Sequence, residues 1–212
     1  HESYERTVAD AAGEAVHLAQ TGTKLNAIGK VVIDPATGEI TSSLVTDYTE
    51  KDPATTEYIQ TLQADFSSVL DQVVATSDVT LTTMDPATGL RRIRSGETNL
   101  GDLVADAYRV VMGADIGMVN GGGIRADIQA GEITYEDIIN VHPYGNEMCL
   151  AEATGQEILD ALELGAMNAP YGDGGFQHVS GLTYTIDLSV PSSVVLDEQG
   201  CFAGVTGPYR VT

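Results

Sequence analysis

Apolar positions along the chain follow two different periods, and the switch between them marks the elements. From residue 14 to 48 short apolar runs alternate with turns: "AVHLAQTG", "AIGKVVID", "PATG", "EITSSLVTDY". The Asp-Pro-Ala-Thr-Gly turn between two β-rich runs predicts a hairpin. The same pentapeptide returns at 85–89 between "VTLTTM" and "LRRIRSG" and predicts a second hairpin loop, not an internal repeat, because nothing beyond the turn matches. Between the two turns the period changes: Ile59, Leu62, Phe66, Val69, Leu70 and Val73 recur at helical spacing. This predicts an amphipathic helix from about Pro53 to Ala75, with the proline in its first turn.

Further on, "TNLGDLVADAYRVVMGA" reads as a helix capped by Thr98 or Asn99, and "DIGMVNGG" as a buried strand. "EITYEDIINVHP" predicts a turn and a short helix, and "NEMCLAEATG" a strand. Thr154 stands three residues before Glu157, a capping box ahead of the helix in "TGQEILDALELGAMNA". The final third, "GLTYTIDLSVP" and "GCFAGV", reads as strand and turn. Helices and strands alternate without a clean βαβ repeat, so the expected class is α+β with a mixed sheet. A helix this long, between a β-rich piece and a mixed one, suits a connector. The expected organisation is therefore a β-rich segment at 1–50, a linking helix at 51–77 and a second domain at 78–212.

Composition narrows the function classes. A hydrophobic share of 42% and a charged share of 19% suit a globular chain, and no apolar run is long enough to span a bilayer. Thirty-one acidic residues against 10 basic ones leave a net charge of −21, which disfavours nucleic acid and anionic lipid as general electrostatic partners. Where the few basic residues gather is therefore informative: Arg91, Arg92 and Arg94 fall together, and Arg125 follows a triple glycine. Cys149 and Cys201 have no metal-type spacing and are expected as buried thiols, a disulfide being the alternative.

No metal-ligand cluster stands out, because His17, His142 and His178 are scattered, and no Walker loop, nucleophile elbow or dinucleotide fingerprint is present. What remains are ligand-holding features. "RRIRSGETNLGD" places arginines before a helix N-terminus, where free N–H groups favour anions. "MVNGGGIRADI" follows an apolar run with three glycines, which implies either φ > 0 or the close approach of another group. "HPYGN" puts an aromatic face beside an amide. Taken singly, each has a plain alternative: a solvated arm, a tight turn, a packing tyrosine. Together they predict a pocket for an aromatic, anionic small molecule.

Four of these stretches, "ETNLGDLVADA", "VNGGGIR", "GEITYEDIINVHPYGN" and "TGQEILDALE", in this order resemble the C-terminal domain of the 5′-nucleotidase family, which includes bifunctional UDP-sugar hydrolases. The resemblance runs from about Asp78 to the end. "VHLAQTGTKLNAIGKVVID" is similar to the last strands of that family's N-terminal calcineurin-like metallophosphoesterase domain. His1 is similar to the last histidine of its Gly-His-Ser-His metal motif, a tag remnant being the other origin. The resemblance implies a hydrolase for nucleoside phosphates whose N-terminal domain holds two divalent ions (Mn, Zn or similar) and whose C-terminal domain holds the nucleoside.

Carried over residue by residue, the resemblance assigns Arg94, Asn120, Gly122, Gly123, Arg125, Tyr144, Asn146 and Gly174 to substrate binding. Tyr144 is then one half of a sandwich around the base. A second arginine of the family pattern falls on Leu90, which leaves Arg91 or Arg92 to take its place. Tyrosine replaces the family phenylalanine and keeps its π-face. The family's Gly-Gly-Asp-Gly-Phe-type motif, with the second stacking aromatic, does not occur before Thr212. The expectation is a fragment of a secreted, periplasmic or cell-surface enzyme, inactive by itself. Two other readings stand beside it: a non-catalytic binding module of the same fold, and a related esterase for a non-nucleotide substrate.

Overall fold

A computed structural model of the chain describes residues 3–22 and 26–212. His1, the expected metal ligand, lies outside the described residues. The chain divides into two units, His1–Leu62 and Gln63–Thr212.

In the first unit two antiparallel hairpins form, one of them at the Asp-Pro-Ala-Thr-Gly turn that predicts it. Strands β1 (Ser3–Ala9) and β2 (Ala15–Thr21) pair, as do β3 (Ile28–Ile33) and β4 (Ile40–Val45). The Asp-Pro-Ala-Thr-Gly turn closes the second hairpin through its first residue. Asp34 Oδ1 accepts from Ala36 N–H at 2.8 Å, and Gly38, at φ 74°, donates to Asp34 O. An aspartate that bonds its own turn and a glycine free to adopt positive φ explain the motif.

Helix α1 spans Pro53–Leu70. Asp52 opens it, accepting from Thr55 N–H at 2.8 Å. The helix is shorter than its periodicity predicts: Val73–Ser77 is strand β5, paired antiparallel with β7 (Gly131–Thr134). Val73 satisfies a helical and a strand pattern equally well. The partner strand decides, because a β-branched pair of residues fits a pleated ladder better than a helix end.

The second unit also holds α2 (Asn99–Met112), β6 (Gly117–Asn120), α3 (Tyr135–Val141), α4 (Gly155–Ala166), β8 (Gln177–Ser180), β9 (Val194–Leu196) and β10 (Phe202–Val205). Thr98 caps α2 by accepting from Gly101 N–H at 3.1 Å, and Gly113 ends it in the left-handed region at φ 62°. Capping boxes open both α3, through Thr134 and Asp137, and α4, through Thr154 and Glu157. The α+β class holds. In place of one mixed sheet, the described residues carry five two-stranded antiparallel ladders.

Two further expectations are corrected. Residues 147–153 are no strand: they are exposed and have no ladder partner, because apolar alternation without a neighbouring edge does not make a sheet. Cys149 and Cys201 are free and exposed, not buried. Cys149 sits on that unpaired segment, and Cys201 closes a turn by donating its N–H to Asp197 Oδ1 at 2.8 Å.

One apolar cluster binds α2, β6, β7 and α3 together. Ile93 and Ile124 are fully buried in it, with Leu100, Val104 and Val119 around them. Polar ties fix its edges. Asp127 accepts from Thr83 N–H at 2.7 Å and from the Thr83 hydroxyl at 2.6 Å, and Leu81 and Ile128 exchange both backbone bonds at 2.9 Å. A smaller cluster joins Leu162, Ala166 and Val211. Beneath it the buried Glu163 carboxylate accepts from Arg210 and Val211 N–H, each at 2.9 Å, while Arg210 Nη1 donates to Ala166 O and Ala169 O near the end of α4.

Candidate functional site

Strand β6 carries the chain into the triple glycine, and the loop's shape is fixed by its own protein. Gly121–Gly123 form a single 3₁₀ turn, with none of the three at positive φ. Close approach, the other reason for glycine, is what operates. Gly121 N–H donates to Phe176 O at 2.7 Å, and a Cβ on Gly121 would lie 1.9 Å from Ile93 O. A Cβ on Gly122 would lie 2.8 Å from Gly174 O. Only at Gly123 is there room, the nearest atom being Asn120 Oδ1 at 3.4 Å.

Gly174 O is held twice, by Gly122 N–H and by Asn120 Nδ2, both at 2.9 Å. This pins the "YGDGG" turn against the glycine loop and leaves Asn120 exposed. Two residues that the sequence reading passed over build that turn. Asp173 Oδ1 accepts from Gly175 N–H at 2.6 Å, Asn168 Nδ2 bonds its other oxygen, and Asp173 N–H donates to Arg94 O at 2.8 Å. The Gly175 bond first, then Asn168 and the nearby Arg94 charge, hold the Asp173 carboxyl below the usual range. An Asp-Gly-Gly turn beside the motifs was the signal available.

Arginines converge on this loop pair. Arg125 Nη1 donates to Gly122 O at 3.2 Å, its backbone N–H bonds Val141 O at 3.0 Å, and its guanidinium stands 5.8 Å from the centre of the Tyr144 ring. Tyr144 itself is 60% exposed. Asn146 is exposed beyond it. Arg94 is half-buried, and its Nε is buried with no hydrogen-bond partner. Arg91 Nη2 donates to Ile124 O at 3.1 Å, whereas Arg92 turns to Asp85 at 3.8 Å. Among the described residues, no carboxylate lies within 4.0 Å of Arg91, Arg94 or Arg125.

His178 supports the floor of the site. Its Nε2 donates to Ile93 O at 2.9 Å, and its ring lies so close to Gly101 that a Cβ there would overlap it at 2.1 Å. Burial pushes its pKa below 6.5 against the pull of that bond, so a neutral ring fits the place. A cavity of about 1000 Å³ elsewhere in the unit, lined by Met112, Ile116, Met118, Leu150 and Ile158, contains none of these arginines. The charged features lie outside it, on a shelf formed by the glycine loop, Arg94 and Tyr144. Among the described residues no group of three His, Cys, Asp or Glu side chains could hold a metal ion, and no helix is long and apolar enough to cross a membrane.

The second unit is thus an α+β domain that presents unpaired guanidiniums and an aromatic face from one cluster of loops. The family model described as the 5′-nucleotidase C-terminal domain matches residues 73–200, and the chain belongs to this family of substrate-binding domains. It is 36% identical over 150 residues to the trifunctional nucleotide phosphoesterase protein YfkN of Bacillus subtilis, covering 68% of this chain and 10% of that protein. It is 32% identical over 160 residues to a 5′-nucleotidase of Vibrio cholerae, covering 75% of this chain and 28% of the relative. The solved 5′-nucleotidase precursor of Thermus thermophilus superposes with a TM-score of 0.73 at 30% identity, over 95% of this chain and 42% of its own. The chain therefore spans less than half the length of each of these proteins.

Proposed function

We propose that this chain supplies the nucleotide-holding part of a 5′-nucleotidase that cleaves nucleoside phosphates to nucleoside and phosphate, and that the whole protein is exported, in the periplasm or at the cell surface. The observation that carries the reading is Arg125 over Tyr144 beside Arg94, whose Nε is buried without a partner, in a chain whose net charge is −21. Cations left without carboxylates in so acidic a protein are suited to an anionic ligand, and the adjacent ring to a base.

In this reading Arg94 and Arg125 bind phosphate or ribose oxygens through planar forks, and Tyr144 stacks on the base with Asn146 at its edge. Asn120, Gly122, Gly123 and Gly174 shape the wall between them. The described residues do not fit the two divalent ions of the resemblance, so the ions are assigned to a metallophosphoesterase domain. Residues 1–50 would be that domain's tail, α1 (Pro53–Leu70) the linking helix, and the chain from β5 (Val73–Ser77) onward the substrate domain. The ions would supply a metal-activated water. The residues of this chain bind and orient the substrate.

The test is calorimetric titration of the purified chain with AMP and with adenosine. Arg125→Gln should weaken AMP by about ten- to a hundredfold, the loss of one charge-assisted contact of roughly 1.5–3 kcal/mol, and leave adenosine unchanged. Tyr144→Ala should weaken both ligands, since stacking contributes roughly 1–3 kcal/mol per base. An AMP affinity indifferent to both substitutions would remove the assignment.

A further inference from the structure

The last turn of α4 bears no basic residue of its own, yet its carbonyls meet a guanidinium. Arg210 arrives from the segment that Val211 bridges to Ile186, and its Nη1 donates to Ala166 O at 3.2 Å, Met167 O at 3.4 Å and Ala169 O at 3.1 Å. A cation there complements the helix dipole and takes up carbonyls that a helix end leaves unpaired. Glu163 aims the arginine, because its Oε2 accepts the backbone N–H of both Arg210 and Val211. The tie is costly: both residues are buried, and Glu163 Oε1 and Arg210 Nε have no hydrogen-bond partner.

The carbonyls that Arg210 gathers lead straight into the site. Past Ala166 the chain turns at once, with Ala169 N–H donating to Ala166 O and Tyr171 N–H to Asn168 O. The Asn168 side chain bonds Asp173, Asp173 N–H meets Arg94 O, and Gly174 O receives Gly122 N–H and Asn120 Nδ2. The end of α4 also packs on this turn directly, since a Cβ on Gly165 would lie 2.8 Å from Gly175 O. We propose that Arg210 is a positioning residue: by gathering the last carbonyls of α4 it sets the path on which residues 168–175 present Gly174 to the glycine loop, and so holds one wall of the site without touching the ligand. This role rests on the nucleotide-holding reading above. The buried charges then serve one arrangement of the turn more than the stability of the domain, for which an apolar pair of similar volume is often as good.

Amide hydrogen exchange and calorimetric titration of the purified chain test this in wild type, Arg210→Lys, Arg125→Gln and the double variant Glu163→Gln/Arg210→Met. The glutamine keeps an acceptor for the two backbone N–H groups, so the double variant removes both charges and leaves no buried ion alone. Its Gly122 and Asp173 amides should exchange about two- to thirtyfold faster, and adenosine and AMP should both weaken within that range, while the paired Leu81 and Ile128 amides keep their protection. Equal loss for a neutral and an anionic ligand separates positioning from lost attraction to charge. Arg210→Lys, whose ammonium ends one bond short of Nη1, should fall between the double variant and wild type. If Leu81 and Ile128 lose protection together with Gly122 and Asp173, Arg210 only stabilises the domain and the inference is overturned, as it is if AMP weakens and adenosine does not. If the double variant binds both ligands like wild type while Arg125→Gln weakens AMP, the inference fails and the nucleotide-holding reading stands. If neither variant alters AMP binding, both fail together. Should the double variant not fold, Arg210→Lys decides by the same amides: faster exchange confined to Gly122 and Asp173 supports the role, and a uniform change or none overturns it.

Discussion

Gly121 and Gly123 are two positions apart and identical in type, yet they answer to different forces. A Cβ on Gly121 would meet the backbone oxygen of Ile93 at 1.9 Å, and no side-chain rotation relieves a backbone clash. Gly121→Ala should therefore destabilise the domain by about 1–3 kcal/mol or more, read as a lower denaturant midpoint at constant slope. Gly123→Ala meets only the Asn120 side chain at 3.4 Å and needs no positive φ, so its midpoint should stay within about 0.5 kcal/mol of wild type. Equal losses would show that the loop moves as one body. The sequence announces that three glycines matter; which of them is indispensable depends on what lies opposite.

Among the elements, α2 carries the most information because both ends and one face are tied. Thr98→Ala removes the cap on Gly101 N–H and should cost about 0.5–2 kcal/mol of stability, measured by chemical denaturation. The cap was legible in "TNLGD", since a cap is a bond between residues three apart. The clamp on the same helix was not, because His178 lies 85 positions from Ile93, to which it bonds. That clamp predicts a pH dependence. Burial lowers His178 and His142 below 6.5 in the folded state, so the unfolded chain takes up protons first. The stability they contribute is complete above 6.5 and is lost as pH falls below it through their folded values. Asp102, raised from 3.8 by burial, then by Glu97 and Asp106, acts in the opposite sense, at lower pH. Between about pH 7.5 and about pH 5.5 the midpoint should fall, and His178→Gln should flatten that fall without abolishing it. An unchanged slope would mean that the ring is protonated in place at no cost.

At the scale of the molecule, the arginine cluster works against its surroundings. With a net charge of −21, the long-range field repels a nucleotide, while short-range guanidinium contacts attract it. Added salt screens the first more than the second, because the Debye length is about 10 Å at 0.1 M. The association rate for AMP should rise from low ionic strength to about 0.15 M, with a smaller change in the dissociation rate. Stopped-flow measurement checks this, and an association rate that falls steeply with salt would mean that local arginines dominate even at a distance. The sequence by itself determined what is decided within a few residues: the Asp34–Gly38 turn, the caps at Thr98 and Thr154, the extents of α2 and α4, and the ordered motifs that mark the family. Such bonds close over three or four positions and do not wait for the rest of the chain. Only the tertiary structure decided that Val73 leaves the helical period for a ladder with Thr134, that Gly121 and Gly122 are filled by Ile93 and Gly174, and that Arg91, not Arg92, turns to the glycine loop. Each of these depends on an atom distant in sequence, and hydrophobic period or residue type at one position carries no record of what will be packed against it.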